Sequence, residues 1–132
     1  MVTNPSISLT EVCGHSTIHE NIKETMVSST ETDSIHILAT LGNRMRVYKN
    51  RISLETVSIE KRPGGCEFEH VRHLVAGARG RQVYENGDAD YGIWAAGMSL
   101  GLVEDVPSCE ELMSRVEREA EDVLDGVKLL RA

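Results

Sequence analysis

The residues best suited to contact a ligand lie between Gly77 and Val103, where small residues are concentrated around Trp94, the chain's one tryptophan. Glycine costs a helix interior about 1 kcal/mol relative to alanine, so a run holding Gly92, Ala96 and Gly97 needs an explanation. One explanation is close approach, because a residue without a Cβ lets another backbone or a flat ligand come near. The alternative is tight packing within the chain, which the spacing alone favours.

The same stretch begins with a basic, glycine-rich run, Gly77-Ala78-Arg79-Gly80-Arg81, and continues into a turn-prone acidic segment over residues 85–90. A run of this kind suits a phosphate if it opens a helix, because the first N–H groups of a helix are free to bind anions. The alternative is a corner between two helices. The sequence holds no P-loop and no Gly-x-Gly-x-x-Gly motif.

Histidine and cysteine give weaker signals. His15 and His19 are four residues apart and could share a metal, but no third ligand follows at a suitable spacing, so no metal site is predicted. Cys13, Cys66 and Cys109 fit neither a zinc pattern nor a disulfide framework. We interpret them as reduced thiols.

Composition limits the possible functions. The chain has 132 residues, enough for one modest domain, and its formal net charge of −7 argues against nucleic-acid binding. No apolar run approaches the roughly 18 residues that span a bilayer, and the N-terminus lacks the pattern of a signal peptide. We therefore expect a cytoplasmic protein without a membrane partner.

The first half of the chain predicts a helix and a β-hairpin. Residues 1–16 are polar and predict a flexible lead-in, although the alternation over residues 7–12 also permits a strand. Residues 18–27 predict a helix with Thr17 as its N-cap and Glu20 completing a capping box. Residues 34–41 and 44–48 predict two strands joined near Gly42-Asn43. Arg44 and Arg46 share one strand face, which is more often solvated than a ligand site.

Two further helices are predicted before the small-residue stretch. Asn50 is a good N-cap for a helix that ends at Pro63-Gly64-Gly65. Residues 68–75 predict a short helix with Phe68 on its apolar side. Its histidines, His70 and His73, are interpreted as solvated or capping groups.

The last helix is the best marked. Ser108 and Glu111 form a capping box at its start. Apolar residues then recur at spacings of three or four, opposite a strongly charged face. They are Leu112, Val116, Ala120, Val123, Val127 and Leu130. Such a stripe needs a surface to cover it, so the chain alone is expected to self-associate or to pack loosely.

Several segments resemble the C-terminal end of nitronate monooxygenases, the flavin enzymes once called 2-nitropropane dioxygenases. The matches occur in the same order along both sequences. They are IHENIK (18–23), NRMRVYKN (43–50), HLVAGARG (73–80), NGDAD (86–90), GIWAAGM (92–98), GLV (101–103) and VPSCEEL (106–112). They cover the chain from about Ile18 to its C-terminus.

The resemblance implies an α/β fold, mostly helical with a short β-hairpin, that forms the C-terminal part of a TIM-barrel flavoprotein. Residues 17–76 would form a lobe that covers the flavin, and residues 77–132 would form the returning barrel helices, including one over residues 91–103. The implied cofactor is FMN, and the matching positions beside it are Gly92, Ala96, Gly97 and Met98. The family's catalytic histidine comes from earlier strands, and none of the five histidines here matches its motif.

Two hypotheses of different class follow from the resemblance. In the first, the chain is part of an enzyme that oxidises alkyl nitronates with molecular oxygen, inactive without the rest of the barrel. A related NAD(P)H-dependent flavin oxidoreductase or enoyl reductase is an alternative within this class. In the second, the chain is a non-catalytic α/β interaction module. The partners are then a small-molecule nitronate in the complete enzyme, a separate barrel subunit, or a second copy of the chain.

Overall fold

A computed structural model describes Gly14 and residues 16–129. The elements in chain order are α1 (Glu20–Val27), β1 (Ser34–Ile37), β2 (Met45–Tyr48), α2 (Arg51–Glu60), α3 (Phe68–Val71), α4 (Gly77–Asn86) and α5 (Cys109–Leu129). Two short 3₁₀ helices, Glu31–Asp33 and Met98–Leu102, complete the set. The prediction of a helix-rich α/β fold with a short hairpin is confirmed. The lead-in over residues 1–13, His15 and Leu130 lie outside the described residues.

The hairpin is antiparallel, and β2 also touches the segment that follows α4. His36 lies opposite Arg46 across the two strands. On the other edge of β2, Val47 and Ala95 form a single antiparallel bridge, and the Tyr48 amide donates to the Trp94 carbonyl over 3.1 Å. The hairpin therefore connects the first half of the chain to the small-residue stretch.

Two apolar clusters lie on either side of the hairpin. The first combines Ile22 and Met26 of α1 with residues after residue 77, namely Val83, Trp94, Ala96, Leu100 and Val103. The second combines both strands with α2 and the α3 region, through Ile37, Leu38, Val47, Ile52, Ile59, Val71 and Leu74. Tyr48 packs on the first cluster and Val47 lies in the second. The division into lobes at residue 76 stays a prediction, and the first cluster crosses it.

Three local predictions need correction. Helix α1 begins at Glu20, and its N-cap is His19, whose Nδ1 accepts from the Asn21 amide over 3.2 Å; Thr17 is not the cap. The helix predicted over residues 68–75 is one turn long, and Phe68 is 49% exposed. The third correction is the predicted helix over residues 91–103. Residues 91–97 are instead non-helical, and only the 3₁₀ turn Met98–Leu102 follows.

Other predicted boundaries hold. Asn50 caps α2 by accepting from the Ser53 amide over 2.8 Å, and the helix ends before Pro63. Glu111 and Ser108 exchange hydrogen bonds at the start of α5, as a capping box requires. Among the described residues, no helix is long and apolar enough to cross a membrane.

A buried carboxylate fixes the loop after β1. Leu38 has a positive φ of 57°, and the loop turns there toward Thr40. The Glu60 carboxylate of α2 accepts from the Leu38 amide over 2.8 Å, from the Thr40 amide over 3.2 Å and from the Thr40 hydroxyl over 3.0 Å. Glu60 is only 7% exposed, so these bonds are largely shielded from water.

Replacing Glu60 by alanine is therefore expected to lower the free energy of unfolding by about 2–3 kcal/mol, because the buried Leu38 amide would lose its acceptor. Urea unfolding of both proteins measures the difference. Glu55→Ala is the matched control, since Glu55 is exposed on the same helix. Equal losses for the two variants would show that the Glu60 contacts do not stabilise the loop.

Candidate functional site

The four residues predicted to face a flavin lie in the segment between α4 and the 3₁₀ helix, and the structure places them differently. Gly92, Ala96 and Gly97 are buried, whereas Met98 is 64% exposed. Gly97 is extended, with φ −85° and ψ −178°, and precedes the 3₁₀ turn. The segment therefore has a buried beginning and an accessible end.

At Gly92 and at Gly80 of α4, close approach occurs within the chain itself. A Cβ on Gly92 would lie 2.8 Å from the Arg79 backbone, and a Cβ on Gly80 would lie 2.5 Å from the Ile93 carbonyl oxygen. The absence of a side chain at Gly80 and Gly92 thus lets α4 and the segment after it pack backbone against backbone. Gly101 admits the 3₁₀ helix at Glu31 in the same way, with a nearest distance of 2.8 Å. At these three positions the packing explanation for the glycines applies.

Trp94 fixes the middle of the segment. It is 2% exposed and stacks on Tyr48 with ring centroids 4.4 Å apart. Its Nε1 donates to the Ala89 carbonyl over 3.2 Å. Asn50 holds the same turn, since its Nδ2 donates to the carbonyls of Ala89, over 2.7 Å, and Gly92, over 2.8 Å. The sequence marked Asn50 only as a helix cap, so this second role was missed.

The basic run at residues 77–81 does open a helix, α4, as its phosphate interpretation required. The two arginines of this run, however, bind other groups of the chain. Arg79 donates to the Tyr91 carbonyl through Nε and Nη2 and to the His73 carbonyl through Nη1. Arg81 pairs with Glu85 over 2.8 Å. Arg79 therefore joins α4 to the segment that follows this helix, and its guanidinium is used in these bonds.

The histidines have structural or surface positions. His19 caps α1, and His70 Nδ1 accepts from the Glu67 amide over 3.1 Å, which agrees with its interpretation as a capping group. His36 lies exposed on the hairpin. Within the described part of the chain, no three His, Cys, Asp or Glu side chains are grouped as metal ligands would be. Among the described residues, neither Cys66 nor Cys109 forms a disulfide bond.

A groove of about 590 Å³ lies between the start of α5 and the segment after Met98. Its walls are Ser99, Leu102, Val103, Glu104, Asp105, Pro107, Leu112, Arg115, Val116 and Glu119. Arg115 donates to both oxygens of Asp105, over 2.9 and 2.7 Å, and this bond lowers the pKa of Asp105 and raises that of Arg115. No sequence signal predicted this groove, because its walls meet only in the fold.

Ser99 is one of the residues that line this groove. Its hydroxyl is buried, and no hydrogen-bond partner for it exists among the described residues. A buried polar atom without a partner costs stability unless a ligand or water satisfies it. A bound molecule can reach this part of the chain at the exposed Met98 side chain.

FMN fits this segment in part. The space beside Gly92 is filled by Arg79, and Ala96 is fully buried in the first cluster, so neither presents an open surface. Met98 remains exposed, and a methionine side chain adapts well to a planar ring. The flavin contacts of Gly92, Ala96, Gly97 and Met98 stay predictions, and the geometry favours the end of the segment over its beginning.

The described fold is similar to part of the structure of FabK from Thermotoga maritima. Its structure has a TM-score of 0.78 at 19% sequence identity, over 89% of this chain and 36% of that chain. A point mutant of the same protein gives 0.71 at 17% identity, over 89% and 34%. The chain thus spans about a third of the length of FabK, and no family model matches it.

Proposed function

We propose that this chain forms the covering lobe and the final helices of an FMN-dependent oxidoreductase with a TIM barrel. The observation that carries the proposal is the fold likeness over 89% of the chain to FabK, an FMN-dependent enoyl reductase. The ordered sequence matches from residue 18 onward support the same class. In such an enzyme FMN supplies the redox chemistry, and this chain would contribute Gly97, Met98 and Ser99 at one edge of the cofactor.

Within this class, we propose oxidation of alkyl nitronates by molecular oxygen. The segments that resemble nitronate monooxygenases include both the hairpin strand over residues 43–50 and the flavin-facing segment over residues 92–98. A second candidate is NAD(P)H-dependent enoyl reduction, which the likeness to FabK favours. The two reactions differ in their oxidant and reductant, so one set of assays separates them.

The test is a chimera in which this chain replaces the matching third of Thermotoga maritima FabK. We expect the chimera to purify with bound FMN and to consume oxygen when ethyl nitronate is added, without NADPH. NADPH consumption with an enoyl thioester would instead support the second candidate. A folded chimera that holds no FMN, while FabK prepared in parallel does, would contradict the proposal and favour a non-catalytic module.

A narrower graft, of residues 89–107 only, keeps the test informative if the full chimera does not fold. Within a folded chimera, Gly97→Val is expected to weaken flavin binding or turnover, because a branched side chain removes the room for contact at the backbone. Glu121→Gln, on the charged face of α5, is the control. Equal effects from both variants would show that the flavin-facing residues are misplaced.

A further inference from the structure

One face of the hairpin carries a group of basic side chains, His36, Arg44 and Arg46, which we call the basic hairpin face. The stretch from Ser34 to Leu54 contains no acidic residue, in a chain whose formal net charge is −7. A positive surface within an acidic chain attracts anions selectively, because the remaining surface repels them. This local charge sets the hairpin apart from the helices around it.

The members of the basic hairpin face lie close together. His36 and Arg46 are directly opposite each other across the two strands, where Cβ atoms are typically about 4.5–5.5 Å apart. Partial desolvation lowers the pKa of His36, and the nearby charges of Arg46 and Arg44 lower it further. With its pKa below the usual value of 6.5, His36 is mainly neutral at pH 7, so the positive charge of this face comes from Arg44 and Arg46.

Arg44 and Arg46 also have charges that no carboxylate among the described residues neutralises. In the described part of the chain neither has a carboxylate within ion-pair distance, whereas Arg72, Arg81 and Arg115 each have one. Arg46 Nη1 donates to the Ser34 hydroxyl over 2.9 Å, which orients the guanidinium group. The other N–H groups of this guanidinium take no part in that bond. A guanidinium carries five N–H donors in a fixed plane that matches a carboxylate or a phosphate.

The position of this face relates it to the flavin-facing segment. Val47 and Ala95 form an antiparallel bridge, and Tyr48 stacks on Trp94 one step further along. Arg46 is on the same strand face as Tyr48. Because the single bridge is antiparallel, β2 runs from Val47 back to Arg46 in the direction in which the facing segment runs from Ala95 on to Met98. The basic hairpin face therefore lies toward the end of the segment that leads to Met98.

From these contacts we propose that the basic hairpin face binds the anionic group, a carboxylate or a phosphate, of a small ligand. In the enzyme proposed above, and resting on that proposal, this ligand is the substrate or a nucleotide reductant, with its anionic end held by Arg44 and Arg46. Its uncharged part then extends toward Met98. Anion binding itself does not require FMN, so it is measured on this chain alone.

The test is an NMR titration of the 132-residue chain, carrying Val123→Gln and Val127→Gln to reduce the exposed apolar surface of α5, with inorganic phosphate and, separately, with acetate, each against sodium chloride at equal ionic strength. We expect saturable shifts centred on His36, Arg44 and Arg46 with at least one of the two anions. Saturation by phosphate alone assigns a phosphate ester as the ligand, and saturation by acetate assigns a carboxylate. Shifts no larger than those caused by chloride would overturn the proposal.

Variants locate the site. Arg44→Gln with Arg46→Gln is expected to raise the dissociation constant by about tenfold or more, whereas Arg46→Lys, which keeps the charge but loses the planar fork, has a smaller effect. Arg118→Gln, an exposed arginine on α5, is the matched control and should bind as the parent does. If the control weakens binding as much as the double variant, binding is nonspecific and the proposal fails. Neither result bears on whether the chimera holds FMN.

Discussion

Replacing Gly80 by alanine is expected to lower the free energy of unfolding by about 2 kcal/mol net, because overpacking so close a contact costs about 3 kcal/mol, the upper end of the usual range. The added Cβ would lie 2.5 Å from the Ile93 carbonyl oxygen, which is backbone and cannot rotate away. Alanine recovers only about 1 kcal/mol through its higher helix propensity. Since small domains are stable by about 5–15 kcal/mol, thermal and urea unfolding detect such a loss readily.

The matched control is Gly77→Ala, in the first turn of the same helix. A Cβ there meets nothing within 4 Å, and the glycine does not have a positive φ. Gly77→Ala should therefore change stability by less than about 0.5 kcal/mol, or raise it slightly. If both alanine variants were equally stable, α4 would not be held against Ile93 by close backbone contact, and the glycine would be free to serve a ligand instead.

The elements that the sequence predicted well are those whose signals are local. Asn50 begins α2 and Pro63 lies beyond its end, Ser108 and Glu111 mark the start of α5, and the hairpin follows from alternation around a turn. Each of these signals lies within a few residues of the element that it specifies. Local hydrogen bonds and turn chemistry therefore suffice to place them.

The small-residue segment was predicted wrongly because its partners are distant in the sequence. Its glycines at positions 92 and 101 accommodate the backbones of Arg79 and Glu31, and its Trp94 carbonyl accepts from Tyr48. These contacts replace the hydrogen bonds that a helix would have made, and they avoid the cost of glycine in a helix interior. Spacing within the segment gives no indication of them.

In the candidate site, too, the sequence indicated what is local and missed what depends on contacts between distant residues. The order of the matching segments pointed to residues 92–98, but burial separates Met98 from Gly92 and Ala96 within that range. The unpaired Ser99 hydroxyl and the groove beside it depend on how the 3₁₀ turn meets α5. Only the fold brings those residues together, so the sequence could name the segment but not its accessible end.

The second large effect concerns the apolar stripe of α5. Among its members Leu112 is buried, but Val116, Val123 and Val127 are exposed, with Val123 at 67%. Exposed apolar surface of this kind favours association, so we expect the 132-residue chain to form dimers or larger species at about 100 µM. Sedimentation velocity over a dilution series measures this, and binding of a hydrophobic dye reports any apolar surface left open.

Substituting Val123 and Val127 together by glutamine is expected to raise the dissociation constant of the self-associated form by about tenfold or more, equivalent to about 1.4 kcal/mol. Loss of two buried valines at an interface is sufficient for this, since burying each contributes about 1.5 kcal/mol or more. The control replaces Glu117 and Glu121 by glutamine, on the charged face of the same helix. A parent chain that sediments as a compact monomer, binds no dye and gives sharp, well-dispersed amide resonances would show that the stripe needs no covering surface.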